Sequence, residues 1–231
     1  SSERISLLED RIARSPARGA PLDPQLAYWH ERMRAKLDGF IERPERVLAR
    51  IRESAEPEGE FNLYRRAIAE FRGASPDAAL QTLDRLLRQR PDDPFYWELR
   101  GQILFESARP AEAIEPLRRA VALAPNEPLI AGMLGRALLA AGGPQAEAEA
   151  LATLQRAARD DPGEAMILRD LAQAYARAGD DGMAALTTAE RMALTGNPAD
   201  AAMMARRAMQ ILPQGSPAWM RADDLAALAD G

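Results

Sequence analysis

Apolar residues recur at spacings of three and four along nearly the whole chain, and the runs are broken by short turns rich in Gly, Pro, Ser and Asp. That period puts one apolar stripe on each of a series of helices. Residues 1–20 hold Ile5, Leu8 and Ile12 at helical spacing, then Pro16 and Gly19, and read as a connector with one short helix. Asp23-Pro24 marks a clear helix start, because Asp is a good N-cap and Pro suits the first helical position. The helix that follows carries Leu26, Trp29, Met33, Leu37 and Phe40 on one stripe, which is expected to be buried. Pro44 opens a shorter helix with Val47, Leu48 and Ile51, and residues 54–59 are a polar break.

From residue 60 onward the pattern repeats. In residues 94–126, counting Pro94 as position 1, Trp97 falls at 4, Gly101 at 8, Leu104 at 11, Ala113 at 20, Leu117 at 24, Ala120 at 27 and Pro125 at 32. These positions resemble the tetratricopeptide signature, a 34-residue helix–turn–helix unit. Arg100, at position 7, stands where an apolar residue is expected. The preceding unit is in phase, with Ala79, Leu83 and Pro91 one period before Ala113, Leu117 and Pro125. The following unit carries Leu134, Gly135 and Leu138 in phase, but Ala150, Leu154, Ala157 and Pro162 fall three residues late, so the turn at 142–144 holds an insertion. A fourth unit has Leu168, Leu171, Ala172 and Tyr175 in phase. There the period slips by half a repeat, so that helix 183–195 serves both as second helix of one unit and as first helix of the next.

The expected fold is therefore all-α: a right-handed superhelical solenoid of tetratricopeptide-type helix pairs. N-terminal linker and flanking helices occupy 1–56. The solenoid occupies 57–231, as repeats 60–93, 94–127, 128–164 and 165–198, a degenerate last unit 182–215, and a capping helix in 216–231. A cap is needed because the last repeat has no neighbour to bury its face.

Composition narrows the function. An apolar fraction of 47% with only 5% aromatics suits closely packed Ala/Leu helices. The net charge of −5 gives no basic footprint for nucleic acid. There is no cysteine, hence no disulfide or thiolate metal site. No apolar run is long enough to span a membrane. The chain starts at Ser1 without Met or signal peptide, and a processed or excised piece is expected.

Candidate catalytic motifs fail on spacing. His30-Glu31 begins like the zinc motif His-Glu-x-x-His, but Arg34 stands where the second His is needed, and His30 is the only histidine. The acidic pairs Asp160-Asp161 and Asp180-Asp181 lack the alternating oxygen ligands of a calcium loop, and Gly142-Gly143-Pro144 lacks the Lys of a phosphate loop. With one His and no Cys there is no nucleophilic triad. No catalytic residue, metal ligand or cofactor is expected in this chain.

The first helices of such repeats line a concave groove, at positions 2, 5, 9, 12 and 13. Those positions hold Phe61, Tyr64, Ile68 and Phe71, then Phe95, Glu98, Gln102, Phe105 and Glu106, then Leu129, Gly132, Arg136 and Leu139, then Met166, Arg169, Gln173 and Arg177. The groove is expected to be aromatic at one end and arginine-rich at the other, and to take a protein or peptide segment. The alternative is that it packs on residues 24–54 of the same chain. A carboxylate clamp of the Asn/Lys kind used by some chaperone-binding repeats is not matched by Tyr64, Glu98, Gly132 and Arg169 at position 5.

Taken together, YWELRGQILFESAR, EAIEPLRRAVALAPNEPLI, LGRALLAAGGP, LRDLAQAYARAGDDGMAALTTAER and ILPQGSPAWMRADD resemble the C-terminal part of bacterial BepA-like zinc metallopeptidases. ERISLLEDRIARSP and ERMRAKLDGFIERPERVL resemble that family's linker. The resemblance implies a periplasmic location, a zinc-bearing catalytic domain preceding this chain, and a role in outer-membrane protein assembly and quality control. Implied partners are outer-membrane proteins or their assembly machinery and the catalytic domain itself. A free-standing scaffold or adaptor is the alternative.

Overall fold

A computed structural model describes residues 11, 13–15 and 23–227. The segment with Ile5, Leu8, Ile12, Pro16 and Gly19 lies outside the described residues. Two helices come first, α1 (Pro24–Ile41) and α2 (Pro44–Arg52). They are followed by α3 (Glu60–Arg72), α4 (Pro76–Gln89), α5 (Pro94–Glu106), α6 (Pro110–Leu123), α7 (Pro128–Ala141), α8 (Pro144–Asp160), α9 (Ala165–Arg177), α10 (Asp181–Leu194), α11 (Pro198–Ile211) and α12 (Pro217–Ala226). No strand occurs among the described residues. The helices pair consecutively and each pair stacks on the next, giving a helical solenoid.

The starts are chemically plain. Pro occupies the first turn of most helices, where its missing N–H removes no intrahelical bond. Asp23 and Asp93 cap α1 and α5 through their carboxylates.

The turns explain the half-repeat slip. Between α3 and α4, Ala74 adopts φ 59°, and Ser75 donates its N–H to the Glu70 carbonyl at 2.9 Å. The α5–α6 turn repeats this with Ala108 (φ 59°) and Arg109 to Leu104, at 2.9 Å. The α9–α10 turn does so with Gly179 (φ 76°) and Asp180 to Tyr175, and the α10–α11 turn with Gly196 (φ 77°) and Asn197 to Met192. All four are one Schellman-type stop. So α10 enters as the second helix of a pair and leaves as the first helix of another. Accordingly it packs extensively on both α9 and α11.

The main core runs from α1 to α9, through Leu63, Leu83, Ile103, Leu117, Leu138, Leu154 and Leu171. The end of the solenoid has its own core, nearly all alanine: Ala185, Ala189, Ala205, Ala208 and Ala222 around Leu186. Gly101 and Gly135 set the helix-pair distance, since a Cβ on either would lie 2.4 Å from the Cγ of Leu117 or Leu154. Arg100, the departure from the repeat pattern, does not enter the core. It reaches across to Asp84 on α4, while its neighbour Leu99 is buried.

One expectation is overturned. The α1 stripe of Leu26, Trp29, Met33 and Leu37 is not buried: Leu26 is 64% exposed and Leu37 56%, and Ile41 extends the open face at 73%. Phe40 alone of that set packs against the core. The buried edge of α1 is instead Arg32, Ala35 and Gly39. Small residues there let two helix backbones approach, and a Cβ on Gly39 would come within 2.8 Å of the Ile68 Cβ. Periodicity selects the large apolar residues, but backbone proximity selects the small ones.

Candidate peptide-binding groove

The first helix of each pair, α3, α5, α7 and α9, carries the residues expected to line the groove. Their fates differ along the solenoid. At the α3 end the groove is filled by α1. Tyr64 and Ile68 are fully buried beneath it, Phe61 lies against Tyr28 with ring centroids 5.5 Å apart, and Phe71 is half-buried against the core. The expectation that Tyr64 and Ile68 offer themselves to a partner is corrected: this part of the groove is occupied by the chain itself, and the two side chains are core.

What holds α1 there is a buried guanidinium. Arg32 is 1% exposed. It grips Asp93 with both prongs, Nη2 donating to Oδ1 at 2.7 Å, and Nη1 also donates to the Tyr28 hydroxyl at 3.0 Å. Aromatic faces surround it, with Tyr96 centred 4.3 Å away and Trp29 and Phe95 each 5.3 Å away. Burial alone would weaken the charged form, but Asp93 and the Tyr96 and Tyr28 phenols hold the Arg32 pKa above its ordinary value.

Beside it, Glu60 accepts from the Tyr28 hydroxyl at 2.6 Å, the Tyr96 hydroxyl at 2.9 Å and Arg90 Nε at 2.8 Å. Desolvation pushes the Glu60 carboxyl up, and these three donors outweigh it, so its pKa lies below the usual carboxylate value. For Tyr96 and Tyr64, burial pushes the phenol pKa well up. At the other end of α1, Arg72 donates to the Gly39 and Glu42 carbonyls at 3.0 and 2.6 Å, satisfying groups that the helix leaves open.

The cover by α1 reaches onto the first half of α5. Phe95 meets Trp29 edge-on, with centroids 6.3 Å apart. Glu98 is mostly buried, and burial raises its pKa against the opposing pull of Lys36 and Arg32. Gln102 donates to Glu106 at 2.7 Å.

Between α5, α7 and α9 lies a recess of about 400 Å³, lined by Phe105, Arg136, Leu139, Met166, Arg169, Asp170 and Gln173. Arg136 Nε donates to Asp170 Oδ2 at 2.7 Å, and Arg169 donates to Oδ1 through Nε at 3.0 Å and Nη2 at 2.8 Å. The Asp170 side chain is 3% exposed. Arg177 is drawn out of this set. It donates to the Leu139 carbonyl at 2.6 Å and to Glu147 at 3.1 Å, closing the end of α7 onto α8. The structure thus brings Phe105, Arg136, Arg169 and Gln173 together, sets Phe95 and Glu98 beside α1, leaves Gln102 paired with Glu106 on α5, and diverts Arg177.

Asp170 and Arg32 escaped the sequence reading. Asp170 stands one repeat after Arg136, a spacing that could have linked them. His30 lies on the surface. Among the described residues no group of three or more His, Cys, Asp or Glu side chains could hold a metal ion. No helix among them is long and apolar enough to cross a membrane.

The comparisons bear on the fold. The tetratricopeptide repeat family matches residues 64–128. No curated protein matches the chain. Among solved structures the chain is similar to MamA (residues 41 to the end) from Desulfovibrio magneticus RS-1, with TM-score 0.62 and 23% identity, over 72% of this chain and 94% of that one. It is also similar to a MamA RS-1 double mutant, with TM-score 0.60 and 22% identity over 72% and 93%. A third relative is YrrB, described as a TPR protein with an unusual peptide-binding site, with TM-score 0.60 and 20% identity over 77% and 90%. At such identities the likeness is one of fold. With the repeat match over residues 64–128 and the same helix-pair stacking throughout, this chain carries a tetratricopeptide-type helical solenoid.

Proposed function

We propose that this solenoid is the partner-recruiting half of a BepA-like periplasmic zinc metallopeptidase acting in outer-membrane protein assembly and quality control. The observation that supports recruitment is the open groove across α5, α7 and α9, where apolar walls at Phe105 and Met166 adjoin guanidinium donors. Such a surface takes an extended protein segment. The parentage is supported by the order and spacing of the segments along the whole chain. In this reading the zinc and its ligands belong to the preceding catalytic domain, and none of the residues here holds them. The exposed face of α1, from Leu26 to Ile41, is then the side on which that domain rests.

A free-standing scaffold is the second reading. It is equally consistent with the fold, which YrrB, described as a TPR protein with an unusual peptide-binding site, shares over 77% of this chain. The coding sequence upstream of Ser1 separates the two. A domain bearing His-Glu-x-x-His is expected there, and its absence would leave the scaffold. Groove function is tested with Phe105→Ala, which is expected to weaken partner capture at unchanged helicity.

A further inference from the structure

We propose that the recess between α5, α7 and α9 is a carboxylate-binding subsite that reads an internal Asp or Glu side chain, flanked by apolar residues, in an extended segment of a partner protein. This deepens the groove reading and rests on it.

The charge is unbalanced by one. Arg136 and Arg169 converge on the single carboxylate of Asp170, so two positive groups face one negative group. Their donors are also unequally used. Asp170 engages Arg136 through Nε only, and Arg169 through Nε and Nη2. Both terminal nitrogens of Arg136 and Nη1 of Arg169 have no hydrogen-bond partner among the described residues. A guanidinium presents its donors as a rigid fork matched to a carboxylate.

Asp170 is buried and accepts from both arginines, so it fixes their positions before any ligand arrives. That pre-organisation distinguishes the pair from arginines on flexible surface side chains. Apolar walls adjoin the donors, with Phe105 on α5 and Leu139 and Met166 on α7 and α9. Met166 is 43% exposed, a large apolar side chain left open beside the charge. A strand's alternate side chains face one side, so residues two before and two after an acidic residue would reach such walls. The recess spans three helices, from Phe105 on α5 to Gln173 on α9, so the acidic side chain is assigned to the interior of a crossing segment.

The test uses the full chain. A displayed library of random peptides is selected on it, and the best sequences are made with acetylated and amidated ends and measured by calorimetry. Asp or Glu is expected at one position with apolar neighbours two residues away. Changing that residue to its amide should weaken binding roughly tenfold or more, the scale of a charge-assisted hydrogen bond. Arg169→Gln, the more exposed arginine, should abolish the preference for acid over amide, an effect that a purely structural role would not produce. Arg136→Gln and Arg169→Gln each strip a partner from buried Asp170, so the fold of both is checked first by circular dichroism, and whichever variant folds carries the test. Peptides indifferent to the acid-to-amide change, or dependent on a free C-terminal carboxylate, overturn the assignment. Peptides that bind but ignore Arg169→Gln remove the subsite and leave the groove; selection that yields no peptide removes both.

Discussion

Arg32 on α1 and Asp93, the N-cap of α5, form a two-pronged ion pair that fastens the leading helix across the first repeat into the second. The same carboxylate serves two masters, since Asp93 Oδ1 also accepts the Phe95 and Tyr96 amides. Removing one partner of a buried pair leaves the other desolvated and alone. Arg32→Ala is therefore expected to lower the unfolding free energy by about 3–5 kcal/mol, measured by chemical denaturation. Limited proteolysis should cut near the 54–59 break before the downstream repeats.

Tyr64 and Phe105 separate stability from binding. Tyr64 is buried against Tyr96, centroids 5.0 Å apart, and its truncation is expected to cost about 3–5 kcal/mol, as for large core residues. Phe105 borders the open recess and should show the opposite pattern, a normal melt with weakened capture. Equal loss of stability in both variants would place Phe105 in the core.

Gly101→Ala and Gly135→Ala should each destabilise by about 1–3 kcal/mol, because the new methyl would overlap Leu117 or Leu154. The equivalent positions in the first and fourth units already hold Ala67 and Ala172. Glycine there should leave a gap instead, and thermal melts of the four variants read the contrast directly.

At the turns the sign reverses. Ala74 and Ala108 sit at φ 59°, in the left-handed region, where Gly179 and Gly196 stand in the matching turns. A left-handed conformation costs an L-residue about 1–2 kcal/mol, of which glycine's freer unfolded chain returns about 0.4–1. Ala74→Gly and Ala108→Gly are expected to gain roughly 0.5–1 kcal/mol each, seen as a higher melting temperature.

Glu60 and Glu98 predict opposite responses to acid. Glu60's folded pKa lies below its ordinary 4.5, so its contribution is present above that value and is lost as pH falls through the folded pKa. Glu98's folded pKa lies above 4.5, so stability is lost as pH rises from 4.5 through the folded value. Glu60→Gln should therefore weaken the protein at neutral pH. Glu98→Gln should strengthen it there and change nothing well below pH 4.5. Denaturation curves across pH check both signs.

The repeated parts of the fold were legible because they repeat. Gly101, Leu117 and Pro125 recur in phase, as Gly135, Leu83 and Pro91 show, and each does one task visible in its residue type. The leading helix was misread for the converse reason. A buried arginine looks like a solvent-facing one until its partners are known, and the carboxylate that pairs with Arg32 lies 61 residues away, at the start of α5. Ala35 and Gly39 carry no hydrophobic signal, yet they are what allows α1 to settle on Ile68. At the recess, Arg136 and Arg169 were readable from repeat position. The carboxylate that orients them was not, because an interior Asp170 resembles a helix-surface acid until α7 and α9 are placed side by side.

The half-step at α10 has a consequence for the size of anything the groove holds. Beyond α9 the next helix in the series, α11, packs on α10 and α12 rather than alongside α9, and at the opposite end α1 lies across α3. That leaves α7, α9 and the Phe105 end of α5 uncovered. With neighbouring helices about 8–10 Å apart and an extended chain advancing about 3.3 Å per residue, a crossing strand covers roughly 25 Å. That is a word of about seven or eight residues, and lengthening a bound segment past it should add no further affinity.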